Sequence, residues 1–350
     1  MIFWAGIALG ILIVFHEFGH FIVAKKSGVG VLTFSIGFGP KILSRKIGET
    51  EYCVSAFPLG GYVKMVGEDP DQEVEVVDRE RSFSNQSLLK RFGIVAAGPV
   101  FNFILAVILF AFIFALFGIP YLTTQVGSVK ADSPAARAGI QKGDRIVAVN
   151  GEPIAKFEDL SKHITASEGN TLSLLLERDG RELAVSLKPE KGEGVNVFGE
   201  TKTIWLIGIG SGGKFEIEKT SPWSAAWQGV VRTGEYSALT LVALYKMITG
   251  TISRKNLGGP ILIAQMAGET ARHGNFLFFV AILSVNLGVL NLLPIPILDG
   301  GHLLFFLLEG LRGRPLELRH RERAQQVGLF ILVLVMIYAF YNDIARFFEG

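Results

Sequence analysis

Four apolar stretches limit the fold of this sequence more than any other feature. They cover residues 2–24, 94–120, 276–298 and 324–342. A helix needs about 20 mostly apolar residues to cross the hydrocarbon core of a bilayer. The second and third stretches contain no charged side chain at all. We therefore predict a polytopic α-helical membrane protein with four transmembrane helices.

The composition agrees with a membrane location and excludes several other classes. Charged residues make up 19% of the chain, against roughly 25% in soluble domains. The net charge of +2 gives no bias toward nucleic acid, so we expect no nucleic-acid partner. The single cysteine, Cys53, excludes an intramolecular disulfide and a multi-cysteine zinc site.

The distribution of basic residues predicts the orientation in the membrane. Lysine and arginine collect in the loop between the first two stretches and in the loop between the last two. Basic loops stay on the cytoplasmic side. We therefore expect both termini outside and the segment from about 121 to 275 outside as well.

The exterior segment divides into a soluble module and a helical region. Residues 121–212 resemble a compact α/β domain, with strands at 172–177 and 182–187 around an Asp179-Gly180 turn. Within 213–275, residues 223–248 are apolar but carry charges, which favours an amphipathic helix on the membrane surface over a fifth span. The remaining predicted domains are 1–120 and 276–350, each with two membrane helices.

The loop at 28–67 has another character, because glycines interrupt a run rich in valine, isoleucine, phenylalanine and tyrosine. Such a pattern predicts a membrane-associated β-hairpin sheet within the domain 1–120. This sheet is either a structural cap on the helices or a functional surface.

The first apolar stretch contains His16-Glu-Phe-Gly-His20. Residues four apart share one face of a helix, so both imidazoles can reach one metal ion. Zinc suits two imidazoles and a carboxylate, and Glu17 is placed to act as general base on a water molecule. Ionisable residues inside a membrane helix mark function by default, which disfavours a purely structural histidine.

Asp299 is the candidate third ligand. It follows the apolar run 276–298, at the predicted cytoplasmic end, and His20 lies five residues, about 8 Å, before Lys25 at that same boundary. His302 is a neighbouring alternative with weaker support.

Three asparagines lie in the apolar stretches. For Asn102 and Asn286 the ordinary expectation is a hydrogen bond between helices. Asn291 lies closer to the predicted metal. It either forms such a hydrogen bond, or it binds the substrate backbone or an oxyanion.

The motifs resemble those of the site-2 protease family of intramembrane zinc metalloproteases. The similarity includes His16-Glu-Phe-Gly-His20, Leu298-Asp-Gly300, Ala97-Gly-Pro-Val-Phe-Asn102 and Gly37-Phe-Gly-Pro40. The stretch 133–151 resembles the start of a bacterial PDZ domain. Together these features are similar to the bacterial regulator of sigma-E protease branch, with room for one PDZ module where some members carry two.

The resemblance implies Zn²⁺ bound by His16, His20 and Asp299, with Glu17 as the catalytic base. It implies that Asn291 and Asn286 serve substrate binding. The expected substrates are single-span membrane proteins, such as an anti-sigma factor trimmed by another protease, and leftover signal peptides. The expected location is the bacterial inner membrane, with the active site near its cytoplasmic side and the lipid bilayer as a partner.

Two other classes compete with a protease. A transporter predicts internal repeats and more spans, and the sequence shows neither. A membrane scaffold that uses only its PDZ-like module leaves the cluster at His16 and His20 unexplained.

Overall fold

A computed structural model describes residues 1–68, 76–196, 198–253, 255, 257–314 and 316–349 of the chain. The chain forms two compact units, Met1–Ile113 with Trp223–Gly350, and Phe114–Pro222. The second unit contains the whole of the predicted exterior module 121–212, and the finer domain bounds stay predictions.

The elements follow one another in chain order. The helices are α1 (Ile2–Lys26), a 3-10 turn (Val76–Arg81), α2 (Leu88–Phe117), α3 (Pro134–Arg137), α4 (Phe157–Ala166), α5 (Pro222–Ile248), α6 (Pro260–Arg272), α7 (Phe276–Asn291), α8 (Asp299–Arg312) and α9 (Leu318–Glu349). The strands are β1 (Val31–Ile47), β2 (Thr50–Met65), β3 (Ile119–Leu122), β4 (Val126–Val129), β5 (Arg145–Val149), β6 (Glu152–Pro153), β7 (Leu172–Arg178), β8 (Arg181–Leu187), β9 (Glu190–Val195), β10 (Thr201–Leu206), β11 (Ile209–Ser211) and β12 (Phe215–Glu218).

Three helices in the described residues are long and apolar enough to cross a membrane, and they lie in α1, α2 and α9. The third predicted span differs. Its helix, α7, has 16 residues and ends at Asn291, so it is about 24 Å long. Pro294 and Pro296 lack the amide hydrogen that a continuing helix needs. The predicted count of four spans is therefore not confirmed.

The loop after α1 forms an antiparallel hairpin of two long, bent strands, as predicted. Ser35 lies opposite both Tyr62 and Cys53, so the first part of β1 has strand partners on both sides. The segment 61–65 pairs with β1 on one side. Val31 and Phe34 of β1 pack into an apolar core that they share with Ala24 of α1.

Helices α1 and α2 approach each other closely at Gly19, where α1 lacks a side chain. A Cβ atom at Gly19 would lie 2.8 Å from the carbonyl carbon of Ala97 and 3.0 Å from Cβ of Phe101. Small residues at a helix crossing allow such backbone contact in membranes. This crossing fixes the part of α1 that carries the two histidines.

The unit Phe114–Pro222 has its own apolar core beneath a sheet of order β6-β5-β7-β8. Strands β7 and β8 are paired in register around Asp179 and Gly180, both with positive φ, which confirms the predicted turn. Asp144 is 1% exposed and accepts two hydrogen bonds, 2.6 and 2.7 Å, from the Arg178 guanidinium.

The predicted amphipathic segment 223–248 is helical, as part of α5. Its side chains Trp223 and Trp227 are exposed. Its position on the membrane surface stays a prediction.

Candidate metal centre and active site

Three ligand-type atoms meet where α1 faces the start of α8. Nε2 of His16 lies 3.2 Å from Oδ2 of Asp299, and Nε2 of His20 lies 3.6 Å from the same oxygen. The two Nε2 atoms are 3.3 Å apart. Among the described residues, these side chains form the group with metal-ligand spacing. The helical period brings the histidines together, and the turn before α8 adds the carboxylate.

The spacing of these atoms fits a tetrahedral zinc ion. Zinc lies about 2.0–2.1 Å from nitrogen and oxygen ligands, which places tetrahedral ligands roughly 3.3 Å apart. The three distances, 3.2, 3.3 and 3.6 Å, lie close to that value. Oδ2 of Asp299 is buried and has no hydrogen bond of good geometry within the described chain. A cation would satisfy this oxygen.

One face of α2 holds both imidazole rings. Nδ1 of His20 lies 2.9 Å from the carbonyl oxygen of Ile94, and Nδ1 of His16 lies 3.1 Å from Nδ2 of Asn102. Between them, Gly98 leaves room for the rings, since a Cβ there would lie 2.8 Å from Cε1 of His16. Residues 94, 98 and 102 are spaced four apart, so they share that face.

The bond to Ile94 determines which nitrogen of His20 can bind a metal. A carbonyl oxygen only accepts, so Nδ1 of His20 carries the proton and Nε2 keeps its lone pair. For His16 the same result follows if the Asn102 amide is rotated by 180°. The amide oxygen, buried and without a partner in the described residues, then accepts from Nδ1–H. Both histidines would thus present Nε2 to the metal.

Two glycines allow Asp299 to reach the cluster. Asp299 is the first residue of α8, directly after the turn that ends the α7 segment. A Cβ at Gly300 would collide with the backbone of Leu292 and Leu293, and one at Gly301 with that of Ile295. The sequence Asp-Gly-Gly therefore lets α8 begin against the preceding turn.

A cavity of about 530 Å³ opens beside the three ligand atoms. Glu17 lines it next to His16 and His20, and Tyr62 and Val63 of the sheet form part of the wall. Its volume lies within the range of about 300–1,000 Å³ that is usual for ligand pockets.

A second polar cluster includes Arg91 and Arg321, which line the same cavity. Glu309 of α8 lies 2.5 Å from the Arg91 guanidinium and 3.0 Å from that of Arg321. Glu309 and Arg91 are 9% and 12% exposed, so their ion pair joins α2 and α8 in a nearly dry environment, and Arg321 adds α9.

The asparagines of the sequence analysis lie apart from the cavity wall. The Asn102 side chain of α2 forms a hydrogen bond with His16 of α1, as expected for an interhelical contact. Asn286 accepts a hydrogen bond of 2.7 Å from Thr240 of α5. Asn291 ends α7. The substrate-binding roles of Asn286 and Asn291 stay predictions. His302 lines the cavity, but it is outside the group with metal-ligand spacing.

Sequence reasoning missed two contributors to this site. Gly98 leaves the space for the imidazoles; the motif at residues 97–102 contains it, but nothing in that motif assigned it to the histidines. Glu68 lines the cavity at the end of the sheet, where no motif marks it.

The chain belongs to peptidase family M50, the site-2 protease family, because the profile of Peptidase family M50 matches residues 4–335. This family consists of membrane-embedded metalloproteases. The chain is accordingly a membrane protein and an enzyme of the zinc metalloprotease class.

Several bacterial zinc metalloprotease-like proteins are similar to this chain over nearly its whole length. A protein of Rhizobium meliloti (strain 1021), named "Putative zinc metalloprotease", is 37% identical over 96% of this chain and 94% of its own length. A protein of Campylobacter jejuni with the same description is 38% identical over 97% and 92%. One of Clostridium acetobutylicum is 36% identical over 97% and 95%.

Among solved structures, the PDZ domain of the SdrC-like protein from Listeria monocytogenes matches 25% of this chain and 86% of its own. The identity is 23% and the TM-score 0.20. The PDZ fold of the second unit therefore stays a prediction.

Proposed function

We propose that this protein is an intramembrane zinc endopeptidase that cleaves membrane-spanning segments of other proteins. The observation that carries the proposal is the convergence of two Nε2 atoms and one carboxylate oxygen within 3.6 Å of one another. His16, His20 and Asp299 would hold the zinc ion and leave its fourth position open to the cavity. When bound, zinc polarises a carbonyl group and makes water a stronger acid.

Glu17 is the general base in this proposal. It lines the cavity directly beside the ligands, and its Cγ approaches the backbone of Gly61. Its carboxylate takes a proton from water as the water attacks the scissile carbonyl. It then delivers that proton to the leaving nitrogen.

The β-sheet provides the surface for the substrate. A peptide bond in a membrane helix has its carbonyl hydrogen-bonded, so cleavage requires local unwinding. The segment 61–65 faces the cavity and can pair with the unwound chain by β-addition, which replaces the lost backbone bonds. Several large apolar side chains of the sheet are exposed, which supports its insertion into the membrane interface: Phe38, Ile42, Leu43, Ile47 and Phe57.

We propose the bacterial inner membrane as the location, with four membrane spans and both termini outside. Lys25 and Lys26 end α1, and basic residues favour the cytoplasmic side. The metal ligands then lie near that side. The unit Phe114–Pro222, with a PDZ-like module, is then exterior. The substrates would be single-span proteins with trimmed exterior portions, such as anti-sigma factors, or remnant signal peptides.

The test compares purified variants in detergent on a single-span substrate whose exterior portion has been removed. The unmodified protein should cleave it, whereas Glu17→Gln and chelator-treated protein should not. Glu17→Gln should still bind zinc. Glu235→Gln makes the same chemical change on an exposed position of α5 and should retain full turnover. Normal cleavage by Glu17→Gln would refute the mechanism.

A further inference from the structure

The edge of segment 61–65 has a definite hydrogen-bonding direction. The amide of Val66 donates to the carbonyl of Gly30, 2.8 Å away, and Val31 lies opposite Met65. The amide of Val66 therefore points toward β1. Backbone groups alternate in direction along a strand, so the amide of Met65 points away from β1. The amides of Val63 and Gly61 share that outward direction.

This outward edge faces the metal ligands. Gly61, Val63 and Met65 line the cavity together with Glu17. A Cβ atom on Gly61 would lie 2.9 Å from Cγ of Glu17, so the edge begins beside the general base. Four residues later, about 13 Å along the strand, it reaches Met65.

The chain itself occupies the last donor of this edge. Oε2 of Glu68 accepts a hydrogen bond of 3.0 Å from the amide of Met65. Within the described ranges, no strand pairs with the outward side of 61–65. Val63 and Gly61 thus remain available to an incoming strand, whereas Met65 does not.

We propose that Glu68 sets the register of the substrate by ending the edge at Met65. This inference rests on the proposed function, in which a substrate strand adds to this edge. A strand that adds to an edge can shift only in steps of two residues, because only alternate residues donate to one side. At this point the negatively charged Glu68 carboxylate also faces the carbonyl oxygens of the substrate. The substrate strand therefore stops there, and one scissile bond lies at the metal ligands.

The position of the cut is the quantity that tests this role. We would incubate the unmodified protein, Glu68→Ala, Glu68→Leu and Glu68→Gln with a trimmed single-span membrane protein and determine the product masses. Glu68→Ala and Glu68→Leu free the amide of Met65, so a second product should appear, displaced by two residues from the first. Glu68→Gln keeps an oxygen acceptor and should give the single original product. Glu80→Ala removes an exposed carboxylate nearby and should leave the product unchanged.

The two claims fail in different ways. If the unmodified protein cuts at one position and both Glu68→Ala and Glu68→Leu cut only there, the register role is overturned while proteolysis stands. A lower rate without a new product likewise contradicts it, since a merely structural role predicts that result. If the unmodified protein does not cut while its zinc is bound, the proposed function fails and the register role fails with it.

Discussion

A single methyl group on α2 should disable the metal centre without changing any ligand. In Gly98→Ala, the new Cβ would lie 2.8 Å from Cε1 of His16 and closer still to Nε2 of His20. The His16 ring must withdraw by about 0.6 Å to restore an ordinary contact of 3.4 Å. The His20 ring cannot turn aside freely, because its Nδ1 bonds the carbonyl of Ile94.

The size of the effect follows from the tolerance of zinc coordination. Ligand distances in zinc sites vary by about 0.2 Å, so a displacement of about 0.6 Å lies outside that tolerance. Disturbing the groups that orient zinc ligands lowers affinity by about 10–100-fold. We expect a loss at the upper end of that range, because the methyl group meets both histidines.

The assay is zinc competition with a chelator of known affinity, on protein purified in detergent. Gly93→Ala is the matched control, because its Cβ on the same helix meets no atom within 4 Å. It should bind zinc normally and stabilise the helix by up to about 1 kcal/mol. Wild-type zinc affinity in Gly98→Ala would refute the arrangement of α1 and α2 on which the site depends.

Three further predictions concern separate parts of the chain. Asn102→Ala removes the side chain that orients His16 and should weaken zinc binding about 10–100-fold in the same competition assay; unchanged affinity would contradict that role. Arg178→Ala leaves Asp144 buried without its partner and should destabilise the second unit by about 3 kcal/mol. This is the low end of the cost of breaking a buried ion pair, because Arg178 is 27% exposed. The loss should appear as faster amide exchange of the second unit in the full chain. The Arg178 guanidinium holds the pKa of the Asp144 carboxyl below its usual value. The pair therefore stabilises the second unit above about pH 4, and this stabilisation should decline as the pH falls further. An unfolding free energy of this unit that does not change with acid would contradict the coupling of Asp144 protonation to its stability. If the exterior module restricts entry of substrates with bulky exterior portions, deleting 127–187 should let the enzyme cut untrimmed substrates; unchanged selectivity on gel analysis would exclude that role.

Local patterns made much of the fold predictable. The four-residue spacing in α1 predicted that His16 and His20 share a face, and Asp179-Gly180 predicted the turn between β7 and β8. Such features depend on neighbours in the sequence. The end of α7 at Asn291 was also marked, by Pro294, but the length of the apolar run pointed to a longer span.

Other features could not be predicted from the sequence, chiefly because they depend on packing between distant segments. The rotation of α2 about its axis decides that Ile94, Gly98 and Asn102 face the histidines, and no periodicity in one nearly uniform apolar helix fixes that rotation. The bond from Met65 to Glu68 is local, since it spans the turn at Val66 and Gly67, but no motif marks it. The charges of the loops placed Asp299 and the histidines at a similar depth in the membrane. That was enough to suggest Asp299 as a ligand, but it gave no distance between Asp299 and the histidines.

The central claim is that Asp299 completes a zinc site with the two histidines of α1. The most direct measurement is the zinc content per chain, by plasma mass spectrometry, of the unmodified protein, Asp299→Ala and His302→Ala. His302 lines the same cavity and serves as the matched control. We predict about one zinc ion per chain for the unmodified protein and for His302→Ala, and little for Asp299→Ala. Full zinc content in Asp299→Ala, or its loss in His302→Ala, would contradict the assignment.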